Sequence, residues 1–319
     1  MTVPAIILVG GEGTRLRPLT DTTPKPMLPL FGRPLLAYTF DHLRTAGVEK
    51  VTLACGYLPA AIEAYFGRGN GISIDYCIEP EPLGTGGAIW FAANGIDRTF
   101  FALNGDSLRE ADLRVLAEFH RERGAKATIL LTRAADPSRY GLVTTNADGQ
   151  VTGFVEKPSP EQIVTDQINA GFYVLEPEVL DLIEPGVAVS IEREVFPRLV
   201  EEGSLFALTL PGYWLDVGTP ASYLQAHLDL LTREEGLVKV HRLARVSRDA
   251  ELEGPVVVGP GATIDQGARV GPFVHIGHDA QVASRVSLRR TAVLPHAVVE
   301  RGSRLVRAIV APGIGAIAP

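Results

Sequence analysis

At 319 residues, 46% of them hydrophobic and 21% charged, the chain carries enough apolar material for a large core and two domains, which excludes a disordered chain. Its 30 basic and 37 acidic residues leave a net charge of −7, which argues against a nucleic-acid-binding surface. The two cysteines, Cys55 and Cys77, have no metal-ligand spacing and no second pair, which argues against a disulfide scaffold or a zinc site. The first apolar run, Ala5 to Val9, is too short for a secretion signal or a membrane span, and no basic segment precedes it. The expectation is a cytoplasmic protein without a membrane partner.

In chain order, β-rich runs ("AIILV", "KVTLAC", "TFFALN", "KATILLT", "AGFYVL", "LFALTL") alternate with amphipathic stretches such as "PLLAYTFDHLRTAG" and "DLRVLAEFHRERG" as far as about Arg233. That alternation predicts an α/β sheet. Pro34 stands where a helix can begin, and Gly47 and Gly124 stand where helices can stop. "NADGQV" reads as a plain hairpin turn.

After about Leu237 a six-residue beat replaces this texture. Val258, Ile264, Val270, Ile276, Val282, Leu288 and Leu294 recur at an interval of six, and a second small or branched aliphatic sits four residues after each. Each hexad can supply a short strand and a corner, so that aliphatics stack inside a prism. The pattern resembles a left-handed parallel β-helix. The phase falters after Leu294, where Glu300 falls on an aliphatic position, and the last coil is expected to be irregular.

The opening strand runs into "GGEGTRLRPLTDTTPKPMLPL". A P-loop needs a lysine followed by serine or threonine after its last glycine, and a dinucleotide fingerprint needs a glycine where Leu16 stands, so both fail. The whole string, G-x-G-T-R-L-x-P-x-T and then P-K-P, resembles the signature of the sugar nucleotidyltransferases, also called nucleoside-diphosphate-sugar pyrophosphorylases. The resemblance implies an α/β fold: a Rossmann-like domain with a predominantly parallel mixed sheet over residues 1–236. A linker and a short left-handed β-helix of hexapeptide repeats would follow over residues 237–319.

It also implies a site. Gly10, Gly11, Gly13, Thr14 and Arg15 would hold the phosphates of a nucleoside triphosphate, with Lys25 beside the reacting α-phosphorus. Glycine amides can approach oxyanions closely, and a guanidinium fork and a compact ammonium complement their charge. In "EPEPLGTGGA", Leu83, Gly84 and Thr85 would cradle base and ribose, with Glu79 as the base reader and Glu81 or backbone carbonyls as open alternatives. Asp106 in "FFALNGDSL" and Asp216 in "GYWLDVGTP" would hold Mg²⁺, a hard cation suited to carboxylates. Gly141, Glu156 and Lys157 in "YGLVTTNADGQVTGFVEKP" and Asn169 in "INAGFYVL" would surround the sugar 1-phosphate. Arg17 is left open between a phosphate contact and a solvated side chain.

The strings "LGTGGA", "VEKP", "SIEREVFPRL" and "YWLDVGTPASYLQAH" are most similar to the branch that uses GTP and mannose 1-phosphate. A uridylyl- or thymidylyltransferase acting on glucose 1-phosphate stays open as an alternative, as does a regulatory paralogue that binds without turnover. The short prism is expected to mediate a homo-oligomer, dimer or tetramer.

Overall fold

The computed structural model describes residues 3–69, 71–234 and 236–319. By internal contacts the chain divides into two compact units, Met1–Glu12 with Leu36–Trp214, and Gly13–Leu35 with Leu215–Pro319. The change of sequence texture at residue 237 marks where the prism begins, which is a different boundary from that of the contact units.

The first unit is built on a sheet of nine described strands. They are β1 (Ala5–Leu8), β2 (Lys50–Cys55), β3 (Ser73–Ile78), β4 (Phe100–Asn104), β5 (Ala127–Arg133), β6 (Gly141–Thr145), β7 (Val151–Glu156), β8 (Gln167–Leu175) and β9 (Leu205–Thr209). The order is β7-β6-β8-β4-β1-β2-β3, with β5 joined to β8 and β9 to β5. Strands β4, β1, β2 and β3 run parallel, and β8 runs antiparallel to β4. Covered on both faces, β1 buries Ala5, Ile6 and Ile7 alike, which is why it reads as one apolar run instead of alternating.

Helices fill the crossovers: α1 (Leu35–Thr45), α2 (Pro59–Phe66), α3 (Gly84–Ala92), α4 (Leu113–Arg123) and α5 (Phe196–Glu201), of which α1 and α4 lie where the sequence predicts them. Asp112 caps α4 by accepting the Arg114 N–H, and Gly124 ends it in the left-handed conformation. Phe100, Ala102, Tyr173, Leu175, Phe196 and Leu205 meet in the core between these layers. The register of β8 shifts between Asn169 and Tyr173, a bulge that bends the strand beside Asn169. The β6–β7 hairpin is closed by Asn146, whose Oδ1 accepts the N–H groups of Asp148 and Gln150.

The second unit joins the opening loop, α6 (Pro220–Thr232) and the prism. Thr219 and Ser222 cap α6 reciprocally, and the Tyr223 hydroxyl donates to the Pro29 carbonyl. The prism has three faces of parallel strands. The strands from Val238 to Val258 to Ile276 to Val293 to Val310 form one of them. Ile264, Val270, Ile276, Val282 and Leu288 are all buried inside it, as the hexads require.

The phase slips earlier than the sequence suggests. Val256 pairs with Val274 at a spacing of eighteen residues, but Val274 pairs with Thr291 and Ser287 with Arg304 at a spacing of seventeen. The missing residue lies at the Arg289–Arg290 corner, so Val293 stacks on Ile276, Val299 turns inward and Val298 is exposed. The last coil stays in register to Ile309–Ala311, where Gly315–Ile317 folds back antiparallel. Among the described residues no helix is long and apolar enough to cross a membrane.

Candidate active site

Register brings one set of predicted residues to a single edge of the first unit. Leu8 pairs with Ala54 and with Asn104, and Cys55 pairs with Ile78. Gly10 and Gly11, Gly56 and Tyr57, Asp106 and Glu79 therefore all leave the sheet at the carboxyl ends of parallel strands. There the strand order reverses between β1 and β4, the usual ligand crevice of an α/β sheet. A cleft of about 450 Å³ opens at this edge, lined among others by Gly10, Gly11, Glu12, Glu79, Gly84 and Thr85.

Close backbone contacts shape the floor of the cleft. Gly84 has φ +70, and a Cβ there would stand 2.6 Å from the Val189 carbonyl oxygen. Val189 in turn accepts the Gly86 N–H at 2.8 Å and donates its own to Leu83 at 2.9 Å, fastening the start of α3 to the 187–191 strap. Leu83 is buried and outside the cleft wall, and its N–H donates to Glu79 Oε2 at 3.1 Å. Burial raises the Glu79 pKa, and that hydrogen bond opposes the rise. Glu79 is half-buried and lines the cleft.

The predicted sugar-side residues also meet within the first unit. Gly141 pairs with Glu156 across the hairpin, and a Cβ on Gly141 would lie 3.0 Å from Glu156 Oε2. Lys157 follows at the strand end, exposed, with its N–H on the Tyr140 carbonyl at 3.1 Å. Ile168 pairs with Leu142, which sets Asn169 beside this pair. Asn169 Oδ1 accepts the Gly171 N–H at 2.8 Å and Nδ2 donates to the Tyr173 hydroxyl at 2.9 Å. One Nδ2 hydrogen is left to donate to a ligand oxygen, next to a carboxylate that can accept from a ligand hydroxyl.

Several residues of this region have no role that the sequence predicts. Glu192 sits in a single wide turn, Ile191–Val195, of the π type that often marks functional positions. Its Oε2 accepts the Thr85 hydroxyl at 2.6 Å and the Ser190 hydroxyl at 2.9 Å, and its Oε1 faces the Tyr173 hydroxyl at 3.3 Å. Burial first, then the Glu192 charge, pushes the Tyr173 pKa well up, so Tyr173 keeps its proton and donates it to Glu192. The Glu156 pKa is raised by burial and by Glu192. Arg109, its pKa lowered by burial to about 10, donates to the Ala170 carbonyl at 2.5 Å, where the Trp214 indole also donates at 3.1 Å. Together they pin the bulge that carries Asn169.

Gly13, Thr14, Arg15, Lys25 and Asp216 belong to the second unit. Gly13 has φ +64, and a Cβ there would press on Lys25 Cβ and Thr20 Cγ2 at 3.1 Å, so the turn holds Lys25 in place. Lys25 is buried, with Nζ 3.6 Å from Asp216 Oδ1. Arg15 and Asp216 flank Gly218, where a Cβ would lie 3.0 Å from Arg15 Nη2 and 2.8 Å from Asp216 Oδ2. Arg17, by contrast, forms an exposed pair with Asp21 at 3.4 Å.

Residues 4–233 match the nucleotidyl transferase family and residues 252–315 the GMPPB C-terminal domain. The mannose-1-phosphate guanylyltransferase of Mycobacterium tuberculosis is 44% identical over 84% of this chain and 78% of its own length. The probable mannose-1-phosphate guanylyltransferase 3 of Oryza sativa subsp. japonica is 40% identical over 91% of this chain and 81% of its own. In fold alone, the chain is similar to a putative glucose-1-phosphate thymidylyltransferase structure from Bacillus anthracis, with TM-score 0.66 and 23% identity over 75% of this chain and 98% of that one. The chain belongs to the nucleotidyl transferase family.

Proposed function

We propose that the protein transfers a guanylyl group from GTP to mannose 1-phosphate, giving GDP-mannose and pyrophosphate. The observation that carries the choice of base is the acid wall of the cleft, where Glu12, Glu79 and Glu81 stand near Gly84 and Thr85. Guanine presents two adjacent N–H donors to such a wall, whereas uracil and thymine present one N–H flanked by carbonyl oxygens that it would repel. The names of the most similar relatives support the sugar.

In this reading the sugar phosphate oxygen attacks the α-phosphorus in line and pyrophosphate leaves, so catalysis is positioning plus charge neutralisation. The nucleophile is already an anion and needs no general base. Lys25 and Arg15 would neutralise the triphosphate, Lys157 the incoming phosphate, while Glu156 and Asn169 read sugar hydroxyls. Glu192 would act as a positioning residue that keeps Thr85 and Tyr173 oriented. Enzymes of this family use a divalent metal. The carboxylates of Asp106 and Asp216 are the oxygen donors that a hard cation such as Mg²⁺ takes, and when bound it would supply Lewis-acid charge at the phosphates. Work in the cytoplasm as a homo-oligomer is part of the same proposal.

The experiment is ³¹P NMR of the purified protein with GTP, mannose 1-phosphate and MgCl₂. The proposal expects resonances of GDP-mannose and pyrophosphate growing in equal amounts. Pyrophosphate without a sugar nucleotide, or no turnover of GTP, would overturn it.

A further inference from the structure

We propose that His278, Asp279 and His296, at one corner of the prism, form a binding site for a single divalent transition-metal ion of the zinc class. Among the described residues this is the one group of three such side chains whose ligand atoms all lie within 4.8 Å of one another. His278 Nδ1 is 3.3 Å from Asp279 Oδ2, and the two imidazole rings stand edge to face with centroids 4.6 Å apart.

The backbone makes the grouping a property of the fold. The His296 N–H donates to the His278 carbonyl at 3.0 Å, which stacks the two histidines on neighbouring coils, and the Asp279 N–H donates to Pro260 on the coil before at 2.9 Å. Below the carboxylate lies Gly261, where a Cβ would stand 2.0 Å from Asp279 Oδ1. A side chain there would drive the carboxylate out of the corner. Three rungs of the prism thus bring two imidazoles and one carboxylate to one corner.

The donor set selects the ion. Two imidazole nitrogens with one carboxylate oxygen suit Zn²⁺, Co²⁺ or Ni²⁺, whereas Mg²⁺ and Ca²⁺ take oxygen alone. Bonds of about 2.0–2.2 Å to each ligand put neighbouring donors roughly 3 Å apart, a closure that rotation of these partly and fully exposed side chains supplies. The open positions would hold water. An ion here would tie the His278 coil to the His296 coil, so its binding free energy adds to the stability of the prism. The site shares no residue with the proposed nucleotide and sugar positions.

The test is titration of the full-length protein with ZnCl₂, and in parallel with CoCl₂ followed by visible absorption, in excess MgCl₂ to keep hard-cation sites filled. One ion per chain is expected, with a rise in Tm on Zn²⁺ addition. His296→Gln and Asp279→Asn should each weaken binding at least about tenfold and remove the Tm rise, while pyrophosphate-forming activity in Mg²⁺ stays at the native level. No saturable Zn²⁺ binding by the folded native protein would overturn the proposal. So would Zn²⁺ binding that both variants retain at native affinity. Circular dichroism of the variants separates lost ligands from lost folding.

Discussion

At the scale of single residues, the proposed chemistry rests on charges held where water is scarce. Lys25 is buried against Asp216, so Lys25→Met keeps the packing while removing the cation proposed to meet the triphosphate. The expected result is a fall in kcat of about 10²-fold with Tm little changed, checked by steady-state kinetics and calorimetry. Glu79→Gln keeps an acceptor for the Leu83 N–H but withdraws the carboxylate from the cleft. It should lower the preference for GTP over UTP by roughly 1–3 kcal/mol, read as the ratio of the two kcat/KM values. Two buried histidines make a different prediction. The rings of Phe31, His227 and His275 pack in a triangle, with His227 and His275 5.1 Å apart and Phe31 against both, and burial lowers the pKa of His275 to about 4 and that of His227 well below its ordinary value. Both are neutral in the folded chain and take up protons on unfolding once the pH falls below about 6.5, so stability is lost as pH drops through the window between the two pKa values. For His275 alone the loss at pH 5 is roughly 2 kcal/mol, and chemical denaturation of His275→Leu should show a pH 7.5-to-5 decline smaller by that amount.

At the scale of elements, the strands and long helices of the first unit were legible because each is a local pattern. A doubly covered parallel strand is a continuous apolar run, and α4 carries a start cap at Asp112 and a stop at Gly124. The junction of strap and cleft was not legible, because Thr85 and Glu192 are separated by 107 positions and no periodicity links them. "SIEREVFP" could be recognised as a string, but its wide turn and the inward carboxylate depend on Tyr173 and Ser190. Gln at position 192 would offer one oxygen where three hydroxyls donate to the two carboxylate oxygens, forcing at least one of them to turn away. The expected effect of Glu192→Gln is a fall in kcat/KM of about 10- to 100-fold for both substrates, with the KM of each raised. Thr85→Val should raise chiefly the triphosphate KM and Tyr173→Phe chiefly the sugar phosphate KM. Equal effects of these two on both substrates would speak for a merely structural network.

At the scale of the whole molecule, the hexads announced the prism but misdated its slip. Both Val293 and Leu294 are buried, so the sequence could be threaded in either phase, and only the pairing of Val274 with Thr291 decides between them. The packing of His275 against Phe31 also braces the loop that holds Lys25 and Arg15 within one unit. The measurement that bears most directly on the whole account is initial-rate pyrophosphate release over a matrix of GTP, UTP and dTTP against mannose 1-phosphate and glucose 1-phosphate. The highest kcat/KM is expected for GTP with mannose 1-phosphate, by at least about tenfold over any pair with UTP or dTTP, the scale of one mismatched donor at a carboxylate. A preference for UTP or dTTP, or binding without release in every pair, would contradict it.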